Sequence, residues 1–227
     1  MFNFLRVKVT IFTAAIFFFA ITTLGFVKTA KAEDVIGTIE LGGEGPSFAV
    51  ADPTNNRFYI ATNDTDNLLK FNSITKEQVA VIDTVGNDPN GIAINDVTRR
   101  LYVISHTNIV TVVDMDTDAV LSQYPVGDGP IGIGVNTDLN RIYITNKQDN
   151  NMVVIDGATD QIIATIPIAF GPRFLTVNPE TNLLYVAMFS DDGLNNAVAV
   201  IDANTNTVLT EIPVGLTPRG IAVNPLT

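Results

Sequence analysis

The chain has no cysteine, no tryptophan and one histidine, His106. Without cysteine there are no disulfides, no thiolate ligands and no cysteine nucleophile, so the fold is expected to be held by its core and by ring closure. One histidine and no cysteine cannot assemble a structural zinc, blue-copper or haem site. A Ser-His-Asp arrangement would have to use His106, but the adjacent Ser105 points to the opposite face of a strand. No G-x-S-x-G elbow is present either. His106 is therefore expected to be an ordinary loop residue. The lack of tryptophan and cysteine also argues against a quinoprotein-type enzyme. Bases are scarce as well, 13 against 24 acids in 227 residues.

Four of those bases (Arg6, Lys8, Lys28, Lys31) lie in the first 32 residues, which hold no acid. Residues 9–27 are apolar apart from threonines and Gly25, and Ala30-Lys31-Ala32 places small residues just before Glu33. A basic start, an apolar run and an A-x-A-like site predict a secretory signal over 1–32, cleaved after Ala32. An uncleaved anchor is the alternative, because the run is near the shortest that spans a bilayer. The remaining 33–227 carries nine bases and all 24 acids, a net charge of −15. Such a surface repels nucleic acid and anionic membranes and offers no basic, aromatic-bearing groove to a single strand. It suits a soluble protein facing cations or carbohydrate. The expected location is secreted, periplasmic or cell-surface, with no membrane span in the mature chain unless the leader is retained.

What the chain does have is a repeat. Pro46, Pro89, Pro130, Pro172 and Pro218 recur at intervals of 41–46 residues, and Tyr59, Tyr102, Tyr143 and Tyr185 each follow thirteen residues after one of the first four. A period of about 40–45 residues is the length of a four-stranded propeller blade. Each unit opens on a short strand of small and apolar residues, such as Gly91-Ile92-Ala93-Ile94 or Gly220-Ile221-Ala222-Val223. That composition fits the crowded innermost position of a blade. An Asn- or Asp-led turn follows, beginning at Asp52, Asn95, Asn136 or Asn178, then a second strand with the tyrosine. A third strand ends on Asn72, Asp114, Asp156 or Asp202, with Thr75, Thr117, Thr159 or Thr205 three residues on. This D-x-x-T spacing is a turn capped by its own side chains. The fourth strand closes on Pro125, Pro167 or Pro213, which suits an outer edge.

Tyr143-Ile144-Thr145-Asn146 and the surrounding G-x-x-P…N-P…Y-V…V-I-D-x-x-T pattern resemble the YVTN β-propeller repeats of archaeal surface-layer and related exported bacterial proteins. The resemblance covers residues 35–227, and it implies a seven-bladed parent ring. The predicted fold is all-β: four complete blades at roughly 47–86, 90–128, 131–170 and 173–215, plus two odd strands. One of these is an outer strand at 35–41, the other the inner strand at 220–223. A partial chain is the expected reason for the odd strands, and closure by a second chain is the alternative.

The shared residues belong to turns and core, so function is sought in the loops that differ between blades. These are Asn63-Asp64-Thr65-Asp66-Asn67, His106-Thr107-Asn108, Lys147-Gln148-Asp149-Asn150-Asn151 and Phe189–Asn196. The strand directions put them on one rim, together with Arg173 and Arg219, which follow their prolines near the channel mouth. Two inward arginines are suited to a carboxylate or phosphate, and ion pairing on the protein itself is their alternative use. Ligand-binding candidates are Arg173, Arg219, Asn63, Asp64, Asp149, Asn151, Asp191 and Asp192. Asn63-Asp64-Thr65 is also a glycosylation sequon. Asp114-Met115-Asp116-Thr117-Asp118 fails as a calcium loop, since Ala119 stands where glycine is needed and Pro125 where glutamate is needed. No cofactor is expected; a weak Ca2+ site at Asp191-Asp192-Gly193 is the alternative. The expected function is a non-catalytic exported binding scaffold for a surface protein or glycan. Its rival is a lactonase-type propeller hydrolase with a rim cation on Asp149, Asp191 or Asp192.

Overall fold

The structure is a computed structural model that describes residues 38, 39, 41, 45–52, 54–83 and 85–224. Two compact units divide the chain, Met1–Gly43 and Glu44–Thr227. The leader and most of the strand expected at 35–41 lie outside the described residues. Among the described residues the fold is all-β, with no helix.

Sixteen strands form four antiparallel sheets, each a simple meander in chain order. The first holds β1 (Pro46–Asp52), β2 (Arg57–Thr62), β3 (Asn67–Asn72) and β4 (Gln78–Ile82). The second holds β5 (Pro89–Asn95), β6 (Arg100–Ser105), β7 (Ile109–Asp114) and β8 (Val120–Pro125). The third holds β9 (Pro130–Asn136), β10 (Arg141–Asn146), β11 (Asn151–Asp156) and β12 (Gln161–Pro167). The fourth holds β13 (Pro172–Asn178), β14 (Leu183–Phe189), β15 (Asn196–Asp202) and β16 (Thr207–Pro213). Strands β1, β5, β9 and β13 stand side by side in that order, so the sheets are blades around a common axis.

The repeat writes this arrangement locally. Each blade begins with a proline at the first position of its inner strand, where a missing N–H costs least, and the register shifts immediately after it. The inner strand ends on Asp52, Asn95, Asn136 or Asn178, whose side-chain oxygen accepts from an N–H two or three residues on. Asn72, Asp114, Asp156 and Asp202 do the same at the turn before the outer strand, accepting from Thr75, Thr117, Thr159 and Thr205 N–H groups. These Asx turns need only neighbouring residues, so local sequence specifies them.

The middle strands of the second and third blades are buried on both faces, because each of these blades packs between two others. Leu101 and Val103 face Tyr59 and Leu68 of the first blade, while the intervening Tyr102 and Ile104 face Ile142 and Ile144 of the third. Tyr143 and Met152 meet Leu184, Val186 and Met188 at the last seam. Fully burying one such aliphatic side chain contributes about 1.5–3 kcal/mol. Side chains also cross the seams. Ser47 and Asn90 each donate to the proline carbonyl of the next blade, Pro89 and Pro130. Ile131 cannot do so, and Thr145 reaches across to the Arg173 carbonyl in its place.

One expected strand is absent. Residues 220–223 have the inner-strand composition but lie outside any strand. An inner strand takes its hydrogen bonds from the second strand of its own blade, and the described residues contain no such partner for it.

Candidate functional site

Nine basic side chains fall within residues 45–224, and their placement separates two rims. The lower rim carries the β1–β2 and β3–β4 turns and their counterparts. Six bases lie there, and all are engaged in holding the fold. Arg57 and Lys76 bond carbonyls of their own turns, Asn56 and Ser73. Lys70 crosses to the Met115 carbonyl and Asp118, at 2.6 Å. Arg100 crosses to the Gly157 carbonyl and Asp160, and Arg141 to the Ala203 carbonyl. Arg99 grips Asp52 with two nitrogens, at 3.2 and 2.8 Å. That pair stands where the other seams have Asn95–Asn140 and Asn136–Asn182. In a cleft of about 300 Å³ beside Asp52, Arg57, Lys70 and Arg99, the charges of Asp52, Lys70 and Arg99 are already paired within the chain.

The upper rim has only Lys147, Arg173 and Arg219. Lys147 extends from the β10–β11 loop of the third blade, and Arg173 from the start of β13 in the fourth. Both meet Asp191 of the β14–β15 loop, at 2.8 and 3.2 Å. The Arg173 guanidinium also lies over the Phe189 ring, 3.6 Å from its centroid. Burial draws the Arg173 pKa below its ordinary value; Asp191 opposes this shift and the charge of Arg219 adds to it. Arg173 remains a cation at neutral pH. The hydrogen bond from Lys147, reinforced by its charge and that of Arg173, holds Asp191 below the usual carboxylate range. Beside this cluster opens a cleft of about 340 Å³ lined by Lys147, Gln148, Asn150, Phe170, Phe189 and Asp191, among others.

The rim loops are tied down by their own side chains. Asp66, Asn108, Asn150 and Asn196 each accept from a backbone N–H of the next connection, at Asp88, Gly129, Gly171 and Thr217. This pins the β2–β3 loop and its counterparts to the segments between blades and gives the cleft a fixed floor.

The sequence candidates separate accordingly. Arg173 and Asp191 come together, and Arg219 lies within electrostatic range of Arg173. Arg173 turns onto Phe189 and Asp191, and its neighbour Phe174 meets Phe48 of the first blade with centroids 6.0 Å apart. Arg173 thus makes an ion pair within the protein, the alternative use of the arginines. Asp149 accepts from the Asp128 N–H, and Asn151 from the Asn146 amide, so both serve the loops. Asp192 bonds Ser190 and the Leu194 N–H within its own loop. Asn63 and Asp64 belong to the first blade and do not join the cluster; the Asn63 side-chain oxygen is buried without a partner. His106 is exposed and pairs with Asp88 at 2.9 Å, while Ser105 is buried and bonded to Thr107. No group of three His, Cys, Asp or Glu residues is arranged for a metal among the described residues.

Lys147 was the residue the sequence did not single out. Its signal was present: it is the one base in any of the four variable rim loops.

No family model matches the chain, and no curated protein is similar to it. Solved structures are. Hydrazine synthase of Kuenenia stuttgartiensis matches with a TM-score of 0.72 and 19% identity, over 84% of this chain and 53% of that one. The fold is a β-propeller. The chain spans about half the length of that structure, and at this identity the likeness is one of architecture. Propellers carry many unrelated activities, so function must be argued from the rim and its cleft.

Proposed function

We propose that the chain is an exported, non-catalytic propeller of the YVTN type that binds a surface glycan or protein through the upper rim of its third and fourth blades. One observation carries this reading. In an acidic protein whose lower bases bond turns and seams, Lys147 and Arg173 meet beside one aromatic-floored cleft, with Arg219 within electrostatic range of Arg173. A concave site with a few convergent polar groups is the form that small-ligand recognition takes. The recurring proline, tyrosine and D-x-x-T positions support the YVTN assignment, and the basic, apolar, small-residue leader supports export with cleavage after Ala32.

Glycan and peptide arrays probed with the full chain test the reading. Binding is expected to be lost in Lys147→Ala and Arg173→Ala and kept in Arg57→Ala, which alters the opposite rim. Binding that ignores the upper rim overturns it. Turnover of a lactone panel that depends on added Ca2+ and on Asp191 would replace it with the hydrolase reading.

A further inference from the structure

The Lys147–Asp191–Arg173 contact is asymmetric. The two cations are four-fifths buried, with side-chain exposures of 20% and 18%, whereas Asp191 is 72% exposed. The bases therefore form the walls, and the carboxylate sits between them on the solvent side, as a bound ligand would. It is carried by the 190–195 turn, whose Asp191, Asp192, Leu194 and Asn195 are exposed.

The fit is incomplete. Asp191 takes one terminal nitrogen of Arg173, while the Arg173 Nε is buried and has no partner. A guanidinium offers its Nε and one terminal nitrogen as a fork matched to both oxygens of a carboxylate. A carboxylate not tethered to this loop can seat on that fork and satisfy the donor that Asp191 leaves unmade. In the cleft beside it, Phe170 supplies an apolar ring, and Gln148 and Asn150 supply amide groups. Asn150 spends its oxygen on the Gly171 N–H, which leaves its amide as a donor. Apolar ring faces beside short polar side chains match a sugar ring, which presents C–H groups on its faces and hydroxyls at its edge.

We propose that Lys147 and Arg173 form a carboxylate receptor that Asp191 occupies in the free protein, and that its ligand is a uronic-acid residue of an acidic glycan. This rests on reading the upper rim as a binding surface and narrows it to one ligand chemistry. Asp191 acts as a built-in competitor: the receptor is open only in the fraction of molecules in which the loop has released it. Apparent affinity is reduced by that fraction. The surrounding negative charge discourages acidic ligands that do not reach the two bases.

The test is an NMR titration of the full chain at low salt with galacturonate, galactose, acetate and inorganic phosphate. Galacturonate is expected to shift resonances of the third- and fourth-blade rim loops, with galactose inert and acetate weaker than galacturonate. Asp191→Asn should bind galacturonate roughly five-fold or more tightly than the native chain. Lys147→Ala and Arg173→Lys should weaken it, the latter by removing the fork while keeping the charge. An unchanged melting temperature in Asp191→Asn confirms that the gain comes from an emptied receptor. Equal response to galactose, equal or stronger binding of phosphate, or no gain in Asp191→Asn overturns the proposal. If arrays then show rim-dependent binding of neutral glycans or proteins, the binding-module reading stands without the uronate. If no ligand depends on the rim, both fail.

Discussion

At the scale of single residues, the Asp52–Arg99 pair is the most informative departure from the repeat. Asp52 is 1% exposed, and Arg99 holds a left-handed conformation (φ 56°) where the other blades carry Asn56, Asn140 and Asn182. Arg99→Ala strands a buried charge and is expected to cost about 3–5 kcal/mol. Asp52→Asn with Arg99→Asn rebuilds the amide pair of the other seams, and asparagine suits that backbone. The double variant is therefore expected to recover most of the loss in urea unfolding; a cost equal to the sum of the singles means the pair is not a unit. The same pair sets the acid limb. Burial alone raises the Asp52 pKa, but Arg99 and the Thr54 and Asn55 N–H groups outweigh it and hold it below 3.8. Asp114 is lowered chiefly by the Thr117 N–H. A carboxyl depressed by folding contributes stability that is present above its unfolded pKa and lost as pH falls through the folded value. Stability should thus decline below about pH 4, and less so in the double variant. The tyrosines act in the opposite direction. Burial first, then nearby aspartates, raise Tyr59 and Tyr102 above their ordinary range. Their contribution is whole below about pH 10 and lost above it. Tyrosinate absorbance should rise together with loss of structure, and free titration near pH 10 in the folded protein would contradict their burial.

At the scale of elements, inner and outer strands obey different rules. Gly132 lies where β9 meets β13, and a Cβ there would stand 2.3 Å from the Arg173 carbonyl oxygen and 3.1 Å from the Phe174 Cα. Backbone cannot yield as a side chain does. Gly132→Ala should therefore destabilise by about 1–3 kcal/mol, measured by urea unfolding. The outer strands β4, β8, β12 and β16 each carry a bulge opposite the third strand of their blade. At each bulge sits an exposed aliphatic: Val79, Leu121, Ile163 and Leu209. A bulge twists an edge away from flat pairing, which counters the exposed apolar side chain. Ile163→Lys is expected to change stability by less than about 0.5 kcal/mol while raising the concentration at which the protein stays monomeric by light scattering. Asn136→Ala has no such freedom: it removes bonds to Asn182 and the Leu139 N–H and should cost about 1–3 kcal/mol.

At the scale of the whole molecule, the blades are joined by related devices at successive seams. A tyrosine or base from one blade reaches the outer turn of the next, as Tyr59 and Lys70 reach Met115, and Tyr102 and Arg100 reach Asp160. Stability in such arrays is approximately a sum of blade terms and nearest-neighbour seam terms. Lesions in separate seams, such as Arg99→Ala and Gly132→Ala, should therefore add within about 0.5 kcal/mol. Strong coupling between them would show that the blades unfold as one block.

The repeat length, the all-β class, the four sheets and the Asx turns were legible in the chain by itself. Each depends on a local spacing: a proline, a tyrosine thirteen residues on, an Asp with its Thr three residues later. The strand over 220–223 was equally legible as composition yet did not form, because hydrogen bonds to a neighbouring strand decide a strand's existence and composition does not. Tertiary structure alone decided which charges meet. Asp52 with Arg99, and Asp191 with Lys147, are paired across more than forty residues by how blades dock, and no local spacing encodes that. The same docking made Lys147, a loop residue of the third blade, one wall of the candidate site.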